Sequence, residues 1–139
     1  MFDLDKLPDL ALSIRQPWVW AILNAGKRIE NRPRRFHYRG PICLHASLYD
    51  PREIDLAGFE TVWREAVSDV RERGRQTAFE QLERGGIIGT AEIVDLVEQS
   101  DSPWFFGPYG LVLDNVQAVP FIQVKGALGL FKWKDRLNA

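Results

Sequence analysis

The sequence predicts an α+β domain built on a small mixed, largely antiparallel β-barrel with helices packed at its side. Two observations carry this expectation. Short apolar runs bounded by turn residues outnumber helical patterns, and the later ones follow one another closely. The helical patterns cluster between the second and third runs instead of alternating with strands, which argues against a parallel βαβ sheet.

Residues 1–9 form a polar lead-in, and the apolar run at 10–14 reads as the first strand. Pro17 suits the first position of a helix because it has no N–H to leave unpaired. Trp18, Ala21, Ile22 and Ala25 then recur at helical spacing, giving one apolar face to which Trp18 belongs. Gly26 marks the helix end, and the dense polar run from Lys27 to Arg32 reads as a charged turn. Pro33 closes that turn and biases Arg32 towards an extended backbone. Gly40-Pro41 is a turn signal before a buried strand at 42–46.

Asp50, Pro51 and Glu53 have the pattern of a helix start. Phe59, Val62, Trp63, Ala66, Val67 and Val70 extend it as an amphipathic helix. A shorter helical piece through Ala78, Phe79 and Leu82 ends at Gly85-Gly86. A long strand follows at 87–97, then a loop at 100–110 rich in aromatic and turn residues. Strands at 111–114 and 119–124 are expected on either side of a turn at Asp114-Asn115, with Pro120 placing the second at an edge or bulge. A last strand is expected at 127–132, and the six are expected to close into a barrel, with the helix at 17–25 against one opening.

A chain of 139 residues is long enough for one domain with a real core. Its 45% apolar and 27% charged residues are those of an ordinary globular protein, and a net charge of −1 excludes a global field drawing it to nucleic acid or membrane. The charge is uneven, however. Lys27, Arg28, Arg32, Arg34, Arg35 and Arg39 face a single acid, Glu30, within thirteen residues. Such a patch is either a solvated turn or an anion site. The one cysteine, Cys43, permits no disulfide within the chain and fits a reducing compartment. Two histidines and one cysteine without close spacing make no zinc motif, so no metal or cofactor is expected. The N-terminus does not read as a signal peptide. No apolar run approaches the roughly 20 residues of a membrane helix. A cytoplasmic protein with no membrane partner is expected.

The run Gly26-Lys27-x-x-Glu30-x-Arg32 resembles the signature of the ASCH domain (activating signal cointegrator homology), a member of the PUA-like group of small barrels. The blocks around Ser13 to Trp18, Tyr38 to Ser47, Ser102 to Gly110 and Gly126 to Phe131 resemble the bacterial and phage stand-alone branch, in order, so nearly the whole chain, 1–139, is covered by one domain. The resemblance implies a barrel of five to six strands with a cleft beside the first helix. PUA-like relatives bind RNA or a flipped base there. ASCH members have been linked to RNA or DNA binding, to single-strand ribonuclease activity and to deacylation of an acylated cytidine. In the deacylating branch a hydroxyl residue stands three positions after the lysine; here that residue is Glu30.

Lys27 is the first candidate, as a partly desolvated base, as a phosphate contact, or as an exposed helix-end lysine. Glu30 is placed to pair with Lys27 or Arg32, or to accept from a base amino group. Arg15 and Gln16 precede the helix, where anions are favoured and an amide can read a base edge. Arg28, Asn31 and Arg32 complete the polar run. Trp104 and Tyr109 offer stacking surfaces for unpaired bases in a loop that also holds Phe105 and Phe106, or tuck into the core. His45 in an apolar strand is a satisfied core residue or, facing the cleft, an acid or base. Glu92 on the long strand, if on the inner face, needs a cationic partner. The combined expectation is binding of RNA or a nucleotide, with one base in the cleft and phosphates on the basic turn. The alternative is a hydrolase acting on a modified nucleoside (an amidohydrolase) or on single-stranded RNA (a ribonuclease). In that case Lys27 is the base and Glu30, His45 or Glu92 its proton partner.

Overall fold

The computed structural model describes residues 3–48 and 82–137. In chain order the strands are β1 (Leu10–Ile14), β2 (Ile29–Arg32), β3 (Gly40–Ala46), β4 (Gly86–Val97), β5 (Tyr109–Gln123) and β6 (Leu130–Lys132). One α-helix, α1 (Trp18–Asn24), lies among the described residues, and short 3-10 turns occupy Leu4–Lys6 and Trp133–Arg136. The strands form one sheet in the order β2-β5-β4-β3-β1-β6. β1 and β3 run parallel, and the other neighbours are antiparallel. The helix expected at 59–70, and all but the last residue of the shorter piece at 78–82, lie outside the described residues.

Alternation along the strands separates two apolar layers. Leu12, Ile14, Ile42, Leu44, Ala91, Ile93, Leu111 and Leu113 line the concave face, with Val19 and Ile22 of α1 packed onto them. Ala11, Cys43, Ile87, Val124, Phe131 and Trp133 form the convex layer. Burial pushes the Cys43 thiol up to about 12, so it stays protonated as a packing group.

The sheet curls into a half-barrel. Three strands separate β2 from β1 in the sheet, yet the Arg32 guanidinium on β2 donates to the Ser13 carbonyl on β1 at 2.9 Å. This side chain bridges the opening where the sequence predicts a closed barrel; β2 and β6 remain the sheet edges. Other differences are local. The charged run at Lys27 to Arg32 contains β2, whose polar residues hid its extended backbone. The turn expected at Asp114-Asn115 is a bulge inside the continuous β5. Asn115 takes φ 49°, and the register passes from Thr90↔Gln117 to Glu92↔Asp114. Pro120 falls at the next register shift, between Ala118 and Ile122, as its missing N–H requires. The helix begins at Trp18, one residue after Pro17.

On the convex side, His45 ties three segments together. Its Nε2 lies 2.8 Å from the Val124 carbonyl, which can only accept, so this nitrogen carries the proton. Nδ1 then accepts from the Ser13 hydroxyl at 2.9 Å. A Cβ on Gly126 would lie 2.6 Å from the His45 ring, so only glycine allows the chain to cover this pair.

Burial holds the His45 pKa below its ordinary value, with Arg136 acting in the same direction and the Val124 hydrogen bond opposing. The unfolded chain, titrating near 6.5, therefore takes up the proton first as pH falls. Stability should be full above about pH 6.5 and decline below it by up to about 1.4 kcal/mol per pH unit. Chemical denaturation at pH 7.5 and 5.5 should show this slope in the wild type and a flatter one in His45→Gln.

Candidate functional site

The site is built where α1 hands over to β2. Gly26, at φ 74°, makes the left-handed turn out of the helix. The Lys27 N–H still bonds back to the Ala21 carbonyl at 3.2 Å, which folds the lysine under α1. In β2, Glu30 pairs with Leu111 and Arg32 with Tyr109. Directly opposed residues share a face, so Glu30 and Arg32 point to the concave side with Leu111. Ile29 points the other way, into a cluster with Ala21 and Trp104.

These turns bring three charges together. Lys27 is only 1% exposed. Its Nζ donates to the Ile29 carbonyl and, at 3.2 Å, to Glu30 Oε1. Glu30 Oε2 lies 3.2 Å from Arg32 Nη2, the same nitrogen that reaches the Ser13 carbonyl. Two cations and one carboxylate leave a surplus positive charge. Aromatic rings stand beside both cations: Trp18 at 5.9 Å from Lys27 Nζ and Phe36 at 5.8 Å from the Arg32 guanidinium. Burial lowers the Lys27 pKa, Arg32 adds to this, and Glu30 opposes it.

The hydrogen-bonding capacity left over is that of a donor. Both Glu30 oxygens are engaged. Arg32 uses Nη2 alone: its Nε is buried without a partner, and Nη1 has none among the described residues. Sequence reasoning missed Phe36 and the Ser13 carbonyl as parts of this cluster; Trp18, expected on the core face of α1, packs against the apolar clusters and also lies beside Lys27. An aromatic set between Arg35 and His37 in a polar stretch was the available signal for Phe36.

Three of the remaining polar candidates, Gln16, Arg28 and Asn31, are spent on the backbone. Gln16, 1% exposed, accepts from Trp20 N and donates to the Glu83 carbonyl. Arg28 is exposed but donates to the Ile22 and Lys27 carbonyls at the end of α1. Asn31 donates to the Trp104 carbonyl and accepts from the Phe106 and Gly107 N–H groups, anchoring the aromatic loop. Trp104 is packed in the core. Tyr109 is half-buried with Arg35 over its ring at 5.0 Å. Arg15 is half-buried between β1 and α1.

His45 and Glu92 do not join the cluster. Ala91 and Ile93 take the concave positions on β4, so Glu92 projects to the other face, where Asn115 donates to it at 3.0 Å. His45 lies in the convex layer against Phe131. Arg34, Arg35 and Arg39, just beyond β2, are exposed. Arg35 pairs with Glu98 at 3.0 Å. Among the described residues, no group of three or more His, Cys, Asp or Glu is placed to hold a metal ion, and no helix is long and apolar enough to cross a membrane.

Fold and site together define a small α+β half-barrel domain with a buried, net-positive ion cluster at the helix-to-strand junction. The family model described as ASCH domain matches residues 12–111, a span that runs from within β1 to the start of β5 and takes in the whole ion cluster. The chain belongs to the ASCH domain family. No curated protein matches it.

Removing Glu30 would leave the buried Lys27 and the partly exposed Arg32 without the carboxylate between them. Glu30→Ala should lower unfolding free energy by about 3–5 kcal/mol. Arg35→Ala, which breaks a pair whose side chains are 51% and 57% exposed, should cost no more than about 1 kcal/mol. Denaturant titration of both variants against wild type checks the contrast.

Proposed function

We propose that this protein is an RNA- or nucleotide-binding domain of the PUA-like kind, acting in the cytoplasm. In this reading an unpaired base sits at the mouth of the half-barrel beside α1, and phosphates lie along the exposed arginines that follow β2. The observation that carries it is the ion cluster itself: a surplus positive charge, an arginine with unspent donors, and two aromatic rings beside it. A nucleobase supplies what this arrangement lacks. Its carbonyl and ring-nitrogen acceptors suit Arg32, and its face suits Phe36 and Trp18. Glu30 acts as the support that holds Lys27 and Arg32 in place, and Lys27 sets the charge from below. Membership of the ASCH family supports the same reading.

The hydrolase alternative finds less support. Lys27 is 1% exposed and its Nζ is engaged with the Ile29 carbonyl and Glu30, so a substrate has little access to it. The position three residues after it holds Glu30, whose oxygens are committed to two ion pairs. The Ser13 hydroxyl is turned away to His45.

Binding to short single-stranded RNA, followed by fluorescence anisotropy at about 50–200 mM salt, tests the proposal. Affinity should fall with salt, and Arg34→Ala should reduce the slope of log affinity against log salt by about one. Arg32→Lys keeps the charge but replaces the planar fork, which serves Ser13 and Glu30 from Nη2 and leaves Nη1 for a base, by a single point of donors. It should lose about tenfold in affinity, the lower end of what a hydrogen bond to a charged group contributes. A wild-type protein that ignores RNA at the lowest salt, or that deacylates modified cytidine in a Lys27-dependent way, would overturn the proposal.

A further inference from the structure

The run from Gly126 to Phe131 holds four apolar side chains, and the fold packs three of them. Phe131 belongs to the convex layer with Ala127 against it, and Leu130 packs against the concave layer. Leu128, at the tip of the loop before β6, is 99% exposed. It belongs to none of the apolar clusters of the described residues.

This exposure is not that of a loose loop. Arg136 donates from Nε to the Lys125 carbonyl at 2.9 Å and from Nη2 to the Gly126 carbonyl at 3.2 Å. At the other end Gly129 takes φ 65°, and Leu130 pairs with Leu12 of β1. Leu128 is thus presented on a short turn anchored on both sides.

The strand register places this turn beside Arg32. The Ile14 carbonyl accepts from the Ser47 N–H that follows β3, so it points to the β3 side of β1. Carbonyl directions alternate along a strand, so that of Ser13 points to the β6 side. β6 begins at Leu130, opposite Leu12. One step further, Gly129 comes opposite Ser13, yet the Ser13 carbonyl accepts from Arg32 Nη2 at 2.9 Å. Arg32 therefore occupies the ladder position that β6 gives up, with the loop next to it. The root of the loop also reaches Ser13: a Cβ on Gly126 would lie 3.1 Å from Ser13 Oγ.

We infer that Leu128 is an apolar lip of the mouth, covering the face of the base whose edge Arg32 holds. The inference rests on the binding reading above and adds to it the element that excludes water. Arg32 has its unspent donors at the place where β6 stops. A hydrogen bond from them to a base is stronger where water cannot compete. A leucine laid over the base removes that water and buries apolar area of its own. From Lys125 to Lys132 the chain carries no acid, so nothing on this loop repels a phosphate.

Leu128→Ala removes no packing contact of the fold, so its thermal melt should match that of wild type. Its affinity for a single-stranded RNA of about five nucleotides, measured by anisotropy, should fall about tenfold, the lower end for burying a leucine side chain. The slope of log affinity against log salt should not change, because no charge is lost. Leu128→Met, close in volume, should bind within about twofold of wild type. A second readout needs no variant. In wild type with carbon-13-labelled leucine methyl groups, RNA should move the Leu128 methyl signals upfield, as the ring current above a base requires. Full affinity in Leu128→Ala, or unmoved Leu128 methyl signals in wild type saturated with RNA, would each overturn the inference while the binding reading stands. Absence of any RNA binding by wild type would remove the reading and the inference together.

Discussion

Glu30 has 9% of its side chain exposed, and moving a carboxylate that far from water costs several kcal/mol unless both oxygens find partners. Lys27 and Arg32 supply those partners, one to each oxygen. Arg32 does so from a position where the same nitrogen reaches the Ser13 carbonyl. Satisfying one buried acid therefore draws β2 towards β1 and sets the curl of the sheet. The same bonds leave the rest of the Arg32 guanidinium unspent. Curvature and the binding chemistry proposed for Arg32 thus have a common origin.

Ser13 is the joint between the two faces of the sheet. Its carbonyl accepts from Arg32 on the concave side, and its hydroxyl meets His45 on the convex side. His45 in turn fixes Val124 ahead of β6. Other polar side chains near the mouth do comparable work for the backbone: Gln16 for the start of α1, Arg28 for its end, Asn31 for the aromatic loop. Each satisfies carbonyl or amide groups that irregular chain would otherwise leave unpaired. The positions of the charged and aromatic groups at the mouth depend on these supports.

Much of the fold was legible because burial leaves a period in the sequence. β1, β3, the buried part of β4 and α1 all announce themselves by apolar spacing. β2 does not, because Glu-Asn-Arg on an edge strand reads as a turn; its burial comes from ion pairing, which hydropathy cannot register. Asp114-Asn115 signals the need for an unusual backbone, but that need is met equally by a turn or a bulge, and the partner strand decides. The run at 26–32 holds all three charges of the ion cluster. Its spacing did not separate the group left with unspent donors, Arg32, from the fully engaged Lys27 and Glu30. Gln16 and Asn31 have the chemistry to read a base, yet their amides face main chain. His45 and Glu92 fell on the wrong side of the sheet because spacing gives alternation without saying which face is concave.

The tryptophans allow a direct measurement. Trp18 stands beside Lys27 at the mouth, whereas the Trp133 indole donates to the Pro8 carbonyl at 2.8 Å on the convex side. Titrating the nitrogen-15-labelled protein with short single-stranded RNA and following the indole N–H signals distinguishes the two faces. Binding at the mouth requires the Trp18 signal to shift in proportion to saturation while that of Trp133 stays in place. A shift confined to Trp133, or saturation by RNA with Trp18 unmoved, would contradict it.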